Sequence, residues 1–276
     1  MSFSTFADFD KKLKDIFTED FKTEFSFKAK AKAPNNLTFT STSTWSNPFE
    51  NRAIGQTLGV KWEHPSGFNL EKLEVNSKGK VTTETSLVGA APGLTLNFKG
   101  NDTDKADLSF TYKIPSATIS AEVDGLMFNR VKVSAFGGAG PISAGFAANF
   151  AIAQAGNTQV YEAGATYDGV KDLNVALWAN SAKDFRVLGK YNINDKFSSA
   201  IQIDKSSQSI TGIYGCMNNK VSSKFKITRT DGELGASTSF TQSFDSNCKV
   251  TYVTGIDKFS GFSTSNIKWG VNCTLG

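Results

Sequence analysis

The sequence predicts an all-β protein, a single transmembrane β-barrel of about 19 strands with an N-terminal amphipathic helix inside the pore. Three observations support this fold class. Apolar and polar residues alternate with a period of two over almost the whole chain of 276 residues. The strand-like segments recur at intervals of roughly 13 residues, with no linker between them. Only the N-terminal segment has the three- and four-residue apolar spacing of a helix.

The predicted helix runs from Ser4 to Phe21. Thr5, followed three residues later by Asp8, predicts an N-terminal cap. We assign residues 1–22 to a helix in the lumen and residues 23–276 to the transmembrane barrel. Four apolar residues share one helical face, so we expect them to pack the helix against the barrel wall: Phe9, Leu13, Ile16 and Phe17.

The strands begin directly after the helix, where the period changes from 3.6 to 2. In the first strand, two phenylalanines and then three alanines alternate with polar residues that end in three lysines, until the turn at residues 34–36. Between Phe68 and Val75 the apolar parity shifts, which predicts a β-bulge. The segment from Gly137 to Pro141 is the strongest predicted turn in the chain.

Alternation alone does not separate a membrane barrel from a soluble all-β sandwich, which remains the alternative. The number of similar strands exceeds that of one sandwich, and the polar faces carry long charged side chains. Trp178 is an exception, because its parity places it on the polar face. Seven of the other aromatic residues with polar tips fall on the apolar face near strand ends, as an interfacial girdle requires: Trp45, Trp62, Tyr112, Tyr167, Tyr191, Tyr252 and Trp269.

Composition excludes several function classes. His64 is the only histidine, and the three cysteines have no CxxC spacing, so we expect no metal site, no cofactor and no enzyme. The net charge of +4 predicts only a mild preference for anions and no nucleic-acid partner. We also expect no secretory leader and no transmembrane helix, because the sequence shows neither a leader pattern nor 18 consecutive apolar residues.

The N-terminal segment resembles the opening of the mitochondrial porins, the voltage-dependent anion channel family. Phe9, Lys11, Asp15, Ile16 and Phe17 occupy matching positions. Residues 144–150 and 190–198 are similar to internal strand motifs of the same family. The strand count agrees with the known 19-stranded barrel of that family, so it is not an independent prediction.

This resemblance implies a channel in the mitochondrial outer membrane that passes ions and metabolites, including ATP and ADP, with weak anion preference and voltage-dependent conductance. Its partners would be the lipid bilayer and these small anions, with a homo-oligomer or a larger membrane assembly as a further possibility. The family's nucleotide contacts carry over to Lys11 and Lys14, and its membrane-facing acidic residue would fall on Glu71. The family's hinge glycines are replaced by Asp20, Lys22 and Thr23, so we expect a less mobile helix.

Strand parity predicts which charges line the lumen. The expected acidic residues are Glu24, Glu84, Asp107, Glu122 and Glu162. The basic residues exceed them by about five, which would favour small anions without excluding cations. With the two helix lysines above, the predicted anion-attracting residues are Lys28, Lys30, Lys32, Lys61, Lys132, Arg186, Lys190, Lys224, Lys226 and Lys268.

Two other functions remain open at this stage. One is a protein-translocase barrel of the same membrane, although such barrels usually have a longer leading segment and a more acidic lumen. The other is a structural barrel subunit of a larger membrane complex. The glycine-rich stretch at residues 137–140 lacks the lysine and helix of a phosphate-binding loop, so it predicts a turn and not a nucleotide site.

Overall fold

The computed structural model describes residues 3–47, 51–102, 105–126, 128, 130–152, 160–218, 220–260 and 266–276. These residues form one sheet of nineteen strands that closes on itself. The strands are β1 Phe25–Ala33, β2 Leu37–Asn47, β3 Asn51–Glu63, β4 Phe68–Asn76, β5 Val81–Ala91, β6 Leu94–Asn101, β7 Ala106–Ile114, β8 Ala117–Asp124, β9 Arg130–Ala139, β10 Ile142–Ala151, β11 Val160–Tyr167, β12 Leu173–Asn180, β13 Phe185–Asn192, β14 Phe197–Asp204, β15 Ser209–Met217, β16 Val221–Thr230, β17 Glu233–Ser243, β18 Cys248–Ile256 and β19 Ile267–Leu275.

Each strand pairs with the next strand along the chain in antiparallel orientation, and the barrel is closed by a different kind of pair. Strands β1 and β19 run parallel, with Ser26 opposite Asn272 and Ala29 opposite Leu275. We call this β1–β19 contact the seam. A parallel closing pair follows from the odd number of strands, because the first and the last strand then point the same way. The predicted fold class, a barrel of about 19 strands with its helical segment inside, is confirmed.

The N-terminal segment is not one continuous helix. A 3-10 turn at Phe6–Asp8 is followed by the helix α1, Lys11–Thr18, and by a second 3-10 turn at Glu19–Phe21. The break lies at Asp10, whose carbonyl accepts hydrogen bonds from the amides of Leu13 and Lys14 at 3.0 Å. The predicted cap at Thr5 is wrong, because its hydroxyl donates to the Asp8 carboxylate (2.8 Å) and caps no helix amide.

The predicted bulge is confirmed, whereas the predicted turn is too long. The register of β4 shifts against both of its neighbours between Leu70 and Leu73. By contrast, β9 continues through Gly137 and Gly138 to Ala139, so only residues 140–141 form the turn. Glycine is needed in this strand for close approach, since a Cβ on Gly138 would lie 2.3 Å from the Ile142 carbonyl oxygen.

The register gives every strand an inward and an outward face. The inward face is the one that contacts the N-terminal segment, for example at Thr118, whose hydroxyl donates to the Phe3 carbonyl (2.8 Å). Trp178 is inward, whereas the seven predicted girdle aromatics are all outward. Among the described residues there is no helix that is long and apolar enough to span a bilayer.

Candidate functional site

The N-terminal segment lies against the inner wall of strands β8 to β19. Leu13 and Phe17 are buried there, and Phe9 and Ile16 are partly buried beside them. The wall under α1 is aliphatic where the rest of the inner face is mostly polar. The residues that receive the helix are Ala176, Leu188, Ala200 and Ile213, one from each of β12 to β15.

An aromatic cluster holds the start of the segment. Phe9 stacks on Phe6 with ring centroids 5.1 Å apart, and it lies 5.5 Å from Phe136 of β9. Gly164 of β11 provides the space for this ring, because a Cβ at that position would lie 2.4 Å from Cζ of Phe9. The wall is therefore shaped for one placement of the segment.

Gly164→Val should weaken the docking of the N-terminal segment by about 1–3 kcal/mol, because Phe9 has no room to retreat between its two neighbouring rings. The measurement is thermal unfolding together with tryptic cleavage at the lysines of α1. Gly212→Val is the matched control, since Gly212 also lies in a strand and a Cβ there meets nothing within 4 Å. Equal behaviour of the two variants would show that Phe9 is not confined.

A buried ion-pair network fixes the beginning of α1. Asp10 is 2% exposed, and it pairs with Arg186 of β13 at 3.0 Å and with Lys14 at 2.8 Å. The Arg186 guanidinium lies 5.0 Å from the Trp178 ring, whose indole N–H donates to Glu162 at 3.1 Å. Because a planar guanidinium can bind a carboxylate and stack on a ring at once, Arg186 joins the helix to the wall.

A second ion-pair network fixes the end of the segment. Asp20 pairs with Lys224 at 2.5 Å and with Lys249 at 3.4 Å. The Asn272 side chain donates to the Lys22 carbonyl at 3.0 Å, and the Lys226 ammonium lies 4.5 Å from the Phe21 ring. The stretch that carries glycines in the resembling family is thus held by contacts to three strands.

The anchor at Asp20 should survive mild acid and fail only in strong acid. Burial acts to raise the pKa of Asp20, but hydrogen bonds and charge from Lys224 and Lys249 outweigh it and hold this pKa below its usual value. The stabilisation is therefore complete above the unfolded value of about 3.9 and disappears as the pH falls through the lower folded value. Thermal unfolding from pH 7 to pH 2 should show a loss below about pH 4 that Asp20→Asn lacks. A loss already complete at pH 5 would contradict this assignment.

The structure places all ten strand cations predicted for the lumen on the inward face. Lys11 pairs with Asp15 of the same helix at 2.9 Å, and Lys14 pairs with Asp10. Several of the strand cations are also neutralised. Lys61 contacts Glu63 and Glu71, Lys132 lies 3.7 Å from Glu162, and Lys268 pairs with Asp257.

The seam also carries positive charge, but in the described part of the chain its lysines lack the acidic partners of the paired cations above. Lys28, Lys30 and Lys32 all point inward from β1, and none of the three forms an ion pair with any residue that the structure describes. Their partners on β2 are threonines, and Lys28 also faces Thr274 of β19. We call these three residues the seam lysines. They form a run of three positive charges that have no ion-pair partner among the described residues.

Sequence reasoning missed part of the inward charge. On the inward face of the described strands, fifteen basic residues stand against ten acidic ones. Plain parity was enough to find most of the missed residues, whereas the bulge hides Glu71 and Lys72. The missed residues are Lys72, Lys99, Lys113, Arg130, Lys249, Glu63, Glu71, Glu74, Asp124, Asp204 and Glu233.

Glu71 does not face the membrane. Its carboxylate pairs with Lys61 at 3.1 Å and accepts a hydrogen bond from the Ser86 hydroxyl at 2.8 Å, both on the inward face. The bulge is the cause, because it turns Glu71 and Lys72 inward between the outward residues Leu70 and Leu73. The expectation drawn from the family resemblance is therefore wrong at this position.

Comparisons with known proteins agree with this architecture. A triple mutant of the Rhodopseudomonas blastica porin is 10% identical over 92% of this chain and 96% of its own, with a TM-score of 0.52. A second mutant of that porin is 9% identical over 89% of this chain and 94% of its own, with a TM-score of 0.51. At these identities the likeness concerns the fold alone. No curated protein matches the chain.

A family model assigns the chain more specifically. The model described as eukaryotic porin matches residues 3–261, which is nearly the whole sequence. The fold and the family of this chain are those of pore-forming channel proteins and not of enzymes. The closed barrel, its polar inner face and this match lead to one conclusion: the chain belongs to the eukaryotic porin family.

Proposed function

We propose that this chain is a voltage-dependent, weakly anion-selective channel that passes ions and small metabolites, including adenine nucleotides, across the mitochondrial outer membrane. The observation that carries the proposal is the run of seam lysines, which face the lumen without an acidic partner among the described residues. Lys11, Lys14 and the ten inward strand cations are the residues to which we assign the attraction of anions.

Weak selectivity follows from distance and screening. At physiological ionic strength a charge acts over about 8 Å, so wall lysines enrich anions near the seam without excluding cations from a wide lumen. The ten inward acidic residues reduce the effect further. Phosphate-bearing metabolites carry more charge than chloride, so they gain more from the same wall.

Voltage dependence follows from the way the N-terminal segment is held. The segment carries lysines and aspartates, and ion pairs at Asp10 and Asp20 join it to the wall. A membrane potential acts on each elementary charge with about 2.3 kcal/mol per 100 mV if the charge crosses the whole field. Several charges of the segment that move together through part of the field gain an energy comparable to the contribution of one buried ion pair, so voltage can compete with the anchors.

The test is conductance of the purified protein in a planar bilayer under a potassium chloride gradient. We expect large steps that fall at higher voltage, with a reversal potential on the chloride side and a reduction of current by added ATP. Cation selectivity with block by a basic peptide would favour a protein translocase. Absence of conductance from correctly folded barrels would favour a structural subunit.

A further inference from the structure

Asp204 is a buried carboxylate beside the anchor of α1. It ends strand β14 directly opposite Arg186 of β13 and is only 7% exposed. Its Oδ1 atom accepts hydrogen bonds from the Ser206 amide at 2.9 Å and from the Ser206 hydroxyl at 2.5 Å. Its Oδ2 atom lies 3.7 Å from Nη1 of Arg186, which is outside hydrogen-bonding distance. One oxygen of Asp204 is thus fixed, and the other points at a guanidinium that is already bonded elsewhere.

Arg186 has donors to spare. Its Nη2 atom donates to Asp10 of the helix at 3.0 Å, whereas its buried Nε has no hydrogen-bond partner among the described residues. A guanidinium presents five donors in a rigid plane, so a small rotation would bring Nη1 into full contact with Asp204. Arg186 therefore lies between two carboxylates, one on the N-terminal segment and one on the wall.

The two carboxylates matter because Arg186 is itself largely buried. If the N-terminal segment leaves the wall, Asp10 leaves with it, and the guanidinium loses its closest partner. Undocking opens the inward-facing guanidinium to the water of the lumen, which replaces only part of the lost charge-assisted hydrogen bond. Asp204 does not move with the segment, since it belongs to the barrel.

We propose that Asp204 is a positioning residue that takes over Arg186 when the N-terminal segment undocks, so that Arg186 exchanges one ion pair for another. The exchange lowers the free energy of the undocked state without weakening the docked one. This inference rests on the proposed function, in which movement of the segment changes conductance. It adds the wall residue that makes this movement reversible at modest voltage.

The test is a double-mutant cycle read by hydrogen exchange of the α1 amides, with the protein in lipid nanodiscs. A free helix of eight residues does not persist in water, so exchange of these amides reports undocking even when it is rare. Asp204→Asn keeps the acceptor for Ser206 but loses the charge. We expect it to slow hydrogen exchange of the α1 amides by about tenfold. The reason is that the undocked state then lacks the charged hydrogen bond between Arg186 and Asp204, so it is less populated.

In an Asp10→Asn background, Asp204→Asn should leave the rate of hydrogen exchange of the α1 amides unchanged. Arg186 then has no charged partner on the N-terminal segment to lose on undocking. Asp204→Glu should restore the wild-type rate. Faster exchange in Asp204→Asn, or an equal effect in both backgrounds, would show a merely structural role and overturn the proposal. If Asp204→Asn does not fold, Asp204→Ser replaces it in the cycle.

Exchange is measured without conductance, so the two proposals fail separately. A barrel that shows the exchange cycle but no chloride preference would contradict only the proposed function. A voltage-sensitive channel in which Asp204→Asn leaves the hydrogen-exchange rate of the α1 amides unchanged would contradict only the inference. When both hold, Asp204→Asn channels should need a higher voltage to close than the wild type.

Discussion

Arg186→Leu should release the N-terminal segment from the barrel wall, at a cost of about 3–5 kcal/mol to its docking. The reason is that Asp10 and Asp204 both lie buried around Arg186, and the substitution leaves them without that cation. The measurement is the rate of tryptic cleavage at Lys11, Lys12 and Lys14, which trypsin reaches only when the segment is free. A loss of this size corresponds to an increase in that rate of roughly a hundredfold or more.

Lys190→Leu is the matched control for this substitution. Lys190 lies four residues further along the same strand, on the same face, and forms no ion pair with a residue that the structure describes. Its loss should leave cleavage near the wild-type rate. Adding Asp10→Leu to Arg186→Leu should recover part of the docking, because a buried carboxylate that keeps only Lys14 as its partner is then gone. Equal cleavage in the Arg186 and Lys190 variants would mean that Arg186 does not anchor the segment.

Replacing all three seam lysines by glutamate should reverse the ion selectivity of the channel. The inward face of the described strands has five more basic than acidic residues, and these three substitutions change that excess into a deficit of one. Since the seam lysines have no ion-pair partner among the described residues, the wall compensates their charge less than that of paired inward cations such as Lys61 and Lys268. The reversal potential under a potassium chloride gradient should therefore change sign from the chloride to the potassium side.

The control for charge alone is the replacement of the same three lysines by arginine. This variant keeps the positive charge and should keep the wild-type reversal potential, while single-channel conductance shows that both barrels are intact. If the glutamate variant remains chloride-selective, the charges that set selectivity lie elsewhere on the wall. The inward lysines of β3 to β8 would then be the next residues to change.

The sequence was sufficient to predict the barrel wall because each strand has its own alternation of apolar and polar residues. A period of two identifies the strand and its inward face together, and the parity shift near Glu71 marks the bulge. The prediction was wrong where residue types that usually form a turn lie in a strand because the backbone of a neighbouring strand is very close. Gly137 and Gly138 have turn-forming composition, yet they lie in β9 because neighbouring backbone leaves no room for a Cβ.

The placement of the N-terminal segment could not be predicted in the same way. Asp10 and Arg186 are 176 positions apart in the sequence, and no periodic pattern relates a helix to the strand that receives it. A weaker signal was present. Phe136, Leu188 and Ile213 are apolar residues on the polar parity, and all three are buried on the inner wall beneath the segment. Apolar exceptions on a polar face are therefore the positions to examine for a docked segment.

The seam also bears on how the barrel assembles. It joins residues near position 26 to residues near position 272, so the two edges that must meet are synthesised at opposite ends of the chain. A contact of such long sequence separation forms slowly, and until it forms β1 presents an open edge to other chains. Lysines on an edge strand discourage such wrong pairing. The same three lysines that we assign to anion attraction in the finished barrel would thus protect its first strand until the last one arrives.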